Sequence, residues 1–163
     1  MRLTDVLKEA RKWKRDLSIE DAFAHCDRGH WLLWIHGKLY PDFATYPNQV
    51  RKRILVAGLT ANLVRHLMID ERSIVAVDSA IAFGKGQIGL DELNEAAKNA
   101  KAAAHATFTP HGAAYAAVYA TNPEIAYAAA ITTKAANAES ANIFRAHISL
   151  DEMLQKCRQS HLF

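Results

Sequence analysis

Apolar positions recur every three or four residues along nearly the whole chain, the period of helices packed on one side. Leu3, Val6, Leu7, Ala10, Trp13 and Leu17 predict a first helix beginning after Thr4 or Asp5, with Lys8, Arg11, Lys12 and Arg15 on its opposite face. Ser18-Ile19-Glu20-Asp21 reads as an N-cap followed by carboxylates suited to the positive end of a helix dipole, so a second helix is expected to run to about Arg28 and stop at Gly29. Trp31 to Ile35 is apolar all round, which predicts a short, largely buried third helix with Gly37 near its end. After a loop bracketed by Pro41 and Pro47, Val50, Ile54, Ala57, Ala61, Val64 and Leu67 mark a long central helix starting near Asn48. Asp70-Glu71-Arg72-Ser73 starts the next, reaching about Phe83 and closed by the turn Gly84-Lys85-Gly86.

From Leu90-Asp91-Glu92-Leu93 onward the pattern changes character. Between Asn94 and His147 there are 21 Ala residues, interrupted at Thr109-Pro110 and Asn122-Pro123, where each Pro suits the first turn of a new helix. Ala buries little side-chain area, so such helices pack by close backbone approach around occasional large residues, here Phe108, Tyr115, Tyr119, Tyr127, Ile131 and Phe144. Ser149 is placed to cap a last helix with Leu150, Met153 and Leu154 inward. The expected architecture is all-α, a single compact bundle of eight or nine helices over residues 1–163 with an Ala-rich C-terminal half.

Composition agrees with that class. The 163 residues are 50% hydrophobic and 23% charged, with 30 Ala against seven Gly and four Pro, enough apolar content for a real core. A net charge of +3 neither requires nor excludes an anionic partner. Cys26 and Cys157 match no zinc or redox spacing and are too few for a disulfide framework, and no stretch is apolar for long enough to span a membrane. The reading is a cytoplasmic, soluble protein.

The densest chemistry is His25-Cys26-Asp27-Arg28-Gly29-His30-Trp31-Leu32-Leu33-Trp34-Ile35-His36. Zinc would want ligands four apart on one helical face or paired cysteines, whereas His25 and His30 are five apart with Gly between, so no metal is expected. Cys26 beside His25 or His30 has the residue types of a nucleophilic site, yet a Cys within an amphipathic helix is more often a small buried hydrophobe. The bland reading of the segment is a structural corner with the Trp pair in the core. No nucleophile elbow, zinc-protease, P-loop or dinucleotide fingerprint occurs, so neither an enzyme nor a cofactor is expected. Gly84-Lys85-Gly86 has the form of an anion cradle, but such a triplet after a helix is usually a C-cap. Arg11-Lys12-x-Lys14-Arg15, Arg51-Lys52-Arg53, Arg65-His66 and Arg72 have the charge to meet phosphates or an acidic protein surface. Without a DNA-binding signature, nucleic acid is not the expected partner. Tyr115 and Tyr119, one turn apart, and Tyr127 suit either a helix contact or an interaction surface.

The order of segments Cys26 to Trp34, Val64-Arg65-His66-Leu67, Asp70-Glu71-Arg72-Ser73, Ala82-Phe83-Gly84-Lys85-Gly86 and Leu90-Asp91-Glu92-Leu93, followed by Ala-Tyr and Ala-His repeats, resembles a family of bacterial and phage immunity proteins. That family is similar to the fifth class of immunity proteins of polymorphic toxin systems, and the resemblance spans about Ser18 to Cys157. It implies a non-enzymatic protein that neutralises a toxin or effector protein, with no catalytic residues to carry over. His30 stands where the family often has an acidic residue, which implies a different partner. The expected partner- or ligand-binding residues are Asp27, Arg28, His30, Trp31, Trp34, Arg65 and Arg72. The alternative is a ligand-binding module or sponge for a phosphorylated nucleotide signal, which would gather Arg28, Arg65, Arg72 and a Trp around a pocket. Close-packing Ala faces also make a homodimer an expectation.

Overall fold

The computed structural model describes residues 19–106, 112–124, 126, 128–129 and 137–160, and they are all-α. The helices are α1 (Ile19–His25), α2 (Gly29–Leu39), α3 (Pro47–Asn62), α4 (Glu71–Gly84), α5 (Leu90–Ala106), α6 (Gly112–Ala120), α7 (Asn137–His147) and α8 (Leu150–Ser160), with a 3₁₀ turn at Arg65–Leu67 between α3 and α4. The expected first helix, the basic run Arg11 to Arg15 with Trp13, the Thr109-Pro110 helix start, and the wedges Phe108, Tyr127 and Ile131 lie outside the described residues.

The architecture turns on α3, which is buried along two stripes. Val50, Ile54, Ala57 and Ala61 line a core shared with Ala76, Val77, Ala80 and Phe83 of α4, Leu93, Ala96 and Ala100 of α5, and the Ala positions of α6. Val56, on another face of the same helix, joins a second core with Trp31, Leu32, Leu33 and Trp34 of α2, Ala141 and Phe144 of α7, and Met153 and Cys157 of α8. Small residues set the helix spacing. Gly58 packs on Ala80, and Gly84 lies so near Leu55 that a Cβ would fall 2.4 Å from the Leu55 Cβ, which is how Ala- and Gly-rich helices gain contact without large side chains. Buried Thr60 and Ser140 hydroxyls meet at 3.2 Å between α3 and α7, satisfying each other away from water.

Three boundaries differ from the sequence expectation. The second expected helix was to reach Arg28 but α1 ends at His25, because the guanidinium of Arg145 on α7 takes up the carbonyls of Phe23 and Cys26. The third begins earlier, at Gly29, where α2 crosses α7 closely enough that a Cβ would strike Ser140. The central helix was expected to continue through Val64 and Leu67, but it stops at Asn62. The Leu63 and Val64 amides bond back three residues to Thr60 and Ala61 at 3.2 and 3.1 Å, tightening the chain. That turn buries Met68 and leaves Leu67 outside.

Candidate interaction surface

The corner between α1 and α2 is assembled by burial and capping. Cys26 is buried, its thiol donating to the Arg28 carbonyl at 3.6 Å, and burial pushes that thiol up, with the Arg28 bond only partly opposing it. It is a packed thiol and not an activated nucleophile. Trp31 and Trp34 are 8% and 4% exposed, so of the expected binding residues these two point into the second core, as the architectural reading of the corner has it. The Arg28 guanidinium lies 4.8 Å above the Trp31 ring, and the Lys38 ammonium 5.6 Å above Trp34, so each indole is roofed by a cation. Asp27 and Arg28 are exposed. His30 is half-buried with its Nδ1 buried and unpartnered, and burial, then the Arg28 charge, lowers its pKa. Among the described residues no three His, Cys, Asp or Glu side chains are grouped to hold a metal ion.

The basic run Arg51-Lys52-Arg53 is engaged in contacts within the fold, Arg53 buried and Arg51 and Lys52 partly so. Consecutive helical positions point about 100° apart, and these three diverge to three neighbours. Arg51 donates to the carbonyls of Phe83 and Ile88 and lies 4.2 Å above the Phe83 ring. Lys52 grips both Glu152 carboxylate oxygens at 2.7 and 2.8 Å. Arg53, 2% exposed, donates to the Tyr40 carbonyl at 2.6 Å, and burial lowers its pKa to about 10. Gly84-Lys85-Gly86 is likewise a helix end, with Gly86 at a φ of 77° and its amide returning to Phe83.

A concave site lies elsewhere than the expected residues. A cleft of about 400 Å³ opens between the start of α3 and the side of α8, lined in part by Tyr40, Tyr46, Gln49, Glu152 and Lys156. Burial raises the Glu152 carboxyl, but Lys52, Gln49 and the Ser149 amide together outweigh this and hold it below the usual carboxylate range. The Tyr40 hydroxyl donates to the Glu152 carbonyl at 2.8 Å, and burial pushes that phenol to about 12. Neither Arg28, Arg65, Arg72 nor a Trp lines this cleft.

Arg65 and Arg72 belong to a different face. Arg65 holds Asp78 with both guanidinium nitrogens, the second at 2.8 Å, tying the 3₁₀ turn to the outward side of α4. Arg72 holds Asp70 at 3.0 and 2.7 Å, and Asp70 also caps α4 through the Arg72 amide at 2.9 Å. Each hydrogen-bonded partner raises its Arg, and the Arg72 bond lowers Asp70. Leu67 and Ile69, in the chain between Arg65 and Asp70, and Val75, between Arg72 and Asp78 on α4, are 60%, 79% and 50% exposed, the large hydrophobics that the described residues leave in water. Val75 is one turn from both Arg72 and Asp78 on α4, and the Arg65–Asp78 and Asp70–Arg72 pairs tie both ends of the segment that carries Leu67 and Ile69 to that helix. Sequence reasoning found the two arginines and missed the aliphatic trio. The available signal was Val75 among Glu71, Arg72 and Asp78, an apolar residue in the polar stripe of its helix.

No family model matches the chain, and no curated protein and no solved structure is similar to it at a significant level.

Proposed function

We propose that this protein binds and neutralises an effector protein, in the manner of the immunity proteins its segments resemble, and does so by occlusion without catalysing a reaction. The observation that carries the reading is the face of Arg65, Leu67, Ile69, Arg72 and Val75, where exposed aliphatics lie among paired charges. Exposed aliphatics with Arg among the surrounding polar groups are the composition of protein interfaces, and are otherwise a liability to a protein in water. Two residues expected from the sequence to bind, Arg65 and Arg72, belong to this face, whereas exposed Asp27 and Arg28 belong to the α1–α2 corner. The cytoplasm is the proposed compartment, in keeping with two cysteines too few for a disulfide framework.

The test is affinity capture from the native host with the wild type and with Val75→Glu, followed by expression of the captured protein alone. The proposal expects a protein retained by the wild type and lost with V75E, toxic by itself and harmless when the wild type is co-expressed. A captured protein that is harmless alone, or that V75E retains, overturns it.

A second reading, a module for a phosphorylated nucleotide, is favoured only by the cleft, where Tyr40 and Tyr46 rings and the Lys156 ammonium come together, Lys156 donating to the Tyr46 hydroxyl at 2.6 Å. Its pocket would be built from α3 and α8 and not from the arginines the sequence suggested. A rise in unfolding temperature with millimolar nucleotides, abolished by Lys156→Met, would establish it.

A further inference from the structure

We infer that, in the free protein, the face of Leu67, Ile69 and Val75 closes on the same face of a second copy of this chain, and that partner binding must open this pair. The inference rests on the reading of this face as the binding surface and adds what regulates it.

The argument is charge balance. The face carries two cations, Arg65 and Arg72, and two anions, Asp70 and Asp78, already arranged as ion pairs. A surface with both signs in equal number is poorly suited to a strongly acidic or strongly basic partner, half of whose contacts would repel. A second copy turned by a two-fold axis has the matching distribution, because an isologous contact sets each residue against its counterpart's neighbours. Placed face to face in opposite directions, the Arg65–Asp78 end of one copy meets the Arg72–Asp70 end of the other. Each guanidinium has five N–H donors and each carboxylate about four acceptor sites, and the bidentate pairs leave some of both unused for cross-contacts. Among the described residues, exposed Glu71 and His66 neighbour Arg72 and Arg65 in the chain.

The apolar centre supplies the drive. Leu67, Ile69 and Val75 are more than half or half exposed, and covering aliphatic surface is the favourable term in association. The face is short, since α4 with its 14 residues is only about 21 Å long at 1.5 Å per residue. It therefore falls at the small end of specific interfaces, which are weak and reversible. That weakness is what lets a better-fitting partner displace the second copy, while the occluded trio is kept out of water in its absence.

Sedimentation velocity over a concentration series tests this with the full chain. Wild type is expected to shift from the 18.1 kDa monomer toward twice that mass as concentration rises through the micromolar range, and Val75→Glu to remain monomeric with an unchanged unfolding temperature. Arg72→Glu and Asp78→Arg, each of which sets like charges against each other across the two-fold axis, are expected to be monomeric alone and to form a mixed dimer together. A monomeric wild type throughout, a dimer that V75E leaves intact, or failure of the mixed pair would overturn the inference. The outcomes separate the two proposals: a monomeric wild type whose effector capture is still lost in V75E overturns only the self-pairing, and a dimer lost in V75E with effector capture retained overturns the binding face, and with it the opening of the pair by a partner, while the self-pairing stands.

Discussion

Gly84 and Gly29 are fixed by contact and Gly86 by conformation, and the three should respond differently to one added methyl. At Gly84 a Cβ would lie 2.4 Å from the Leu55 Cβ and 2.7 Å from its Cα, and at Gly29 it would lie 2.1 Å from the Ser140 hydroxyl and 2.7 Å from its carbonyl carbon. Backbone yields only by separating helices, so Gly84→Ala and Gly29→Ala are each expected to cost about 2–3 kcal/mol or more by urea unfolding. Gly86 has open space but a φ of 77°, and Gly86→Ala should cost only about 1–2 kcal/mol. The reverse order would mean that helix spacing is not set by these contacts. His36 gives a pH signature. It is fully buried beside Arg53 with Nε2 facing the Gln49 amide oxygen at 3.2 Å and Nδ1 unpartnered, and burial, then the Arg53 charge, lowers its pKa to about 3. The unfolded chain takes up this proton near pH 6.5, so between 6.5 and 3 the unfolded state binds more protons and stability is lost as the pH is lowered. Wild type should therefore lose about 1–2 kcal/mol relative to His36→Phe between pH 6.5 and 5. A stability difference that stays flat with pH would place the imidazole in water.

At the scale of elements, α1 shows how a seven-residue helix is held. Isolated helices of that length do not persist, and here Arg145 of α7 supplies donors to the Phe23 and Cys26 carbonyls at its C-terminal end. Arg145→Met is expected to raise amide exchange in residues 19–26 by roughly 5–30-fold, the equivalent of 1–2 kcal/mol, with α3 and α4 unaffected; uniform acceleration would show that the bond supports the whole fold. The same example shows what the sequence could and could not disclose. Helices with clear periodicity and local stop signals were legible: α4 from Asp70 to the Gly84-Lys85-Gly86 turn, α5 from Leu90, α8 after Ser149. Ends decided by a distant group were not, since nothing near His25 announces Arg145, and nothing in the apolar series through Leu67 announces that the chain turns at Leu63. The same turn hid the candidate face. Arg65 and Arg72 were found by charge, but Leu67 was assigned inward on a helix that ends sooner, and Arg51-Lys52-Arg53 read as a basic patch because sequence gives position around a helix and not the neighbours waiting there.

Across the whole molecule, both cores depend on α3, so they should not unfold separately. Phe83 in the first core and Phe144 in the second are each wholly buried, and truncating either to Ala should cost about 3–5 kcal/mol. The structural consequence is more specific than the magnitude. Losing the first core removes the support for the Val50, Ile54, Ala57 and Ala61 stripe, and α3 then cannot hold Val56, Arg53 and Thr60 in register for α2 and α7. Trp31 and Trp34 report on the second core alone, so in a Trp13→Phe background their fluorescence follows that core while far-ultraviolet circular dichroism follows every helix. With Phe83→Ala, a change confined to the first core, the two signals should still fall together at one lowered urea midpoint, as an all-or-none transition requires. A fluorescence midpoint left at the unmutated value while helicity is lost earlier would mean that α2, α7 and α8 stand without the first core, and that α3 does not couple the two.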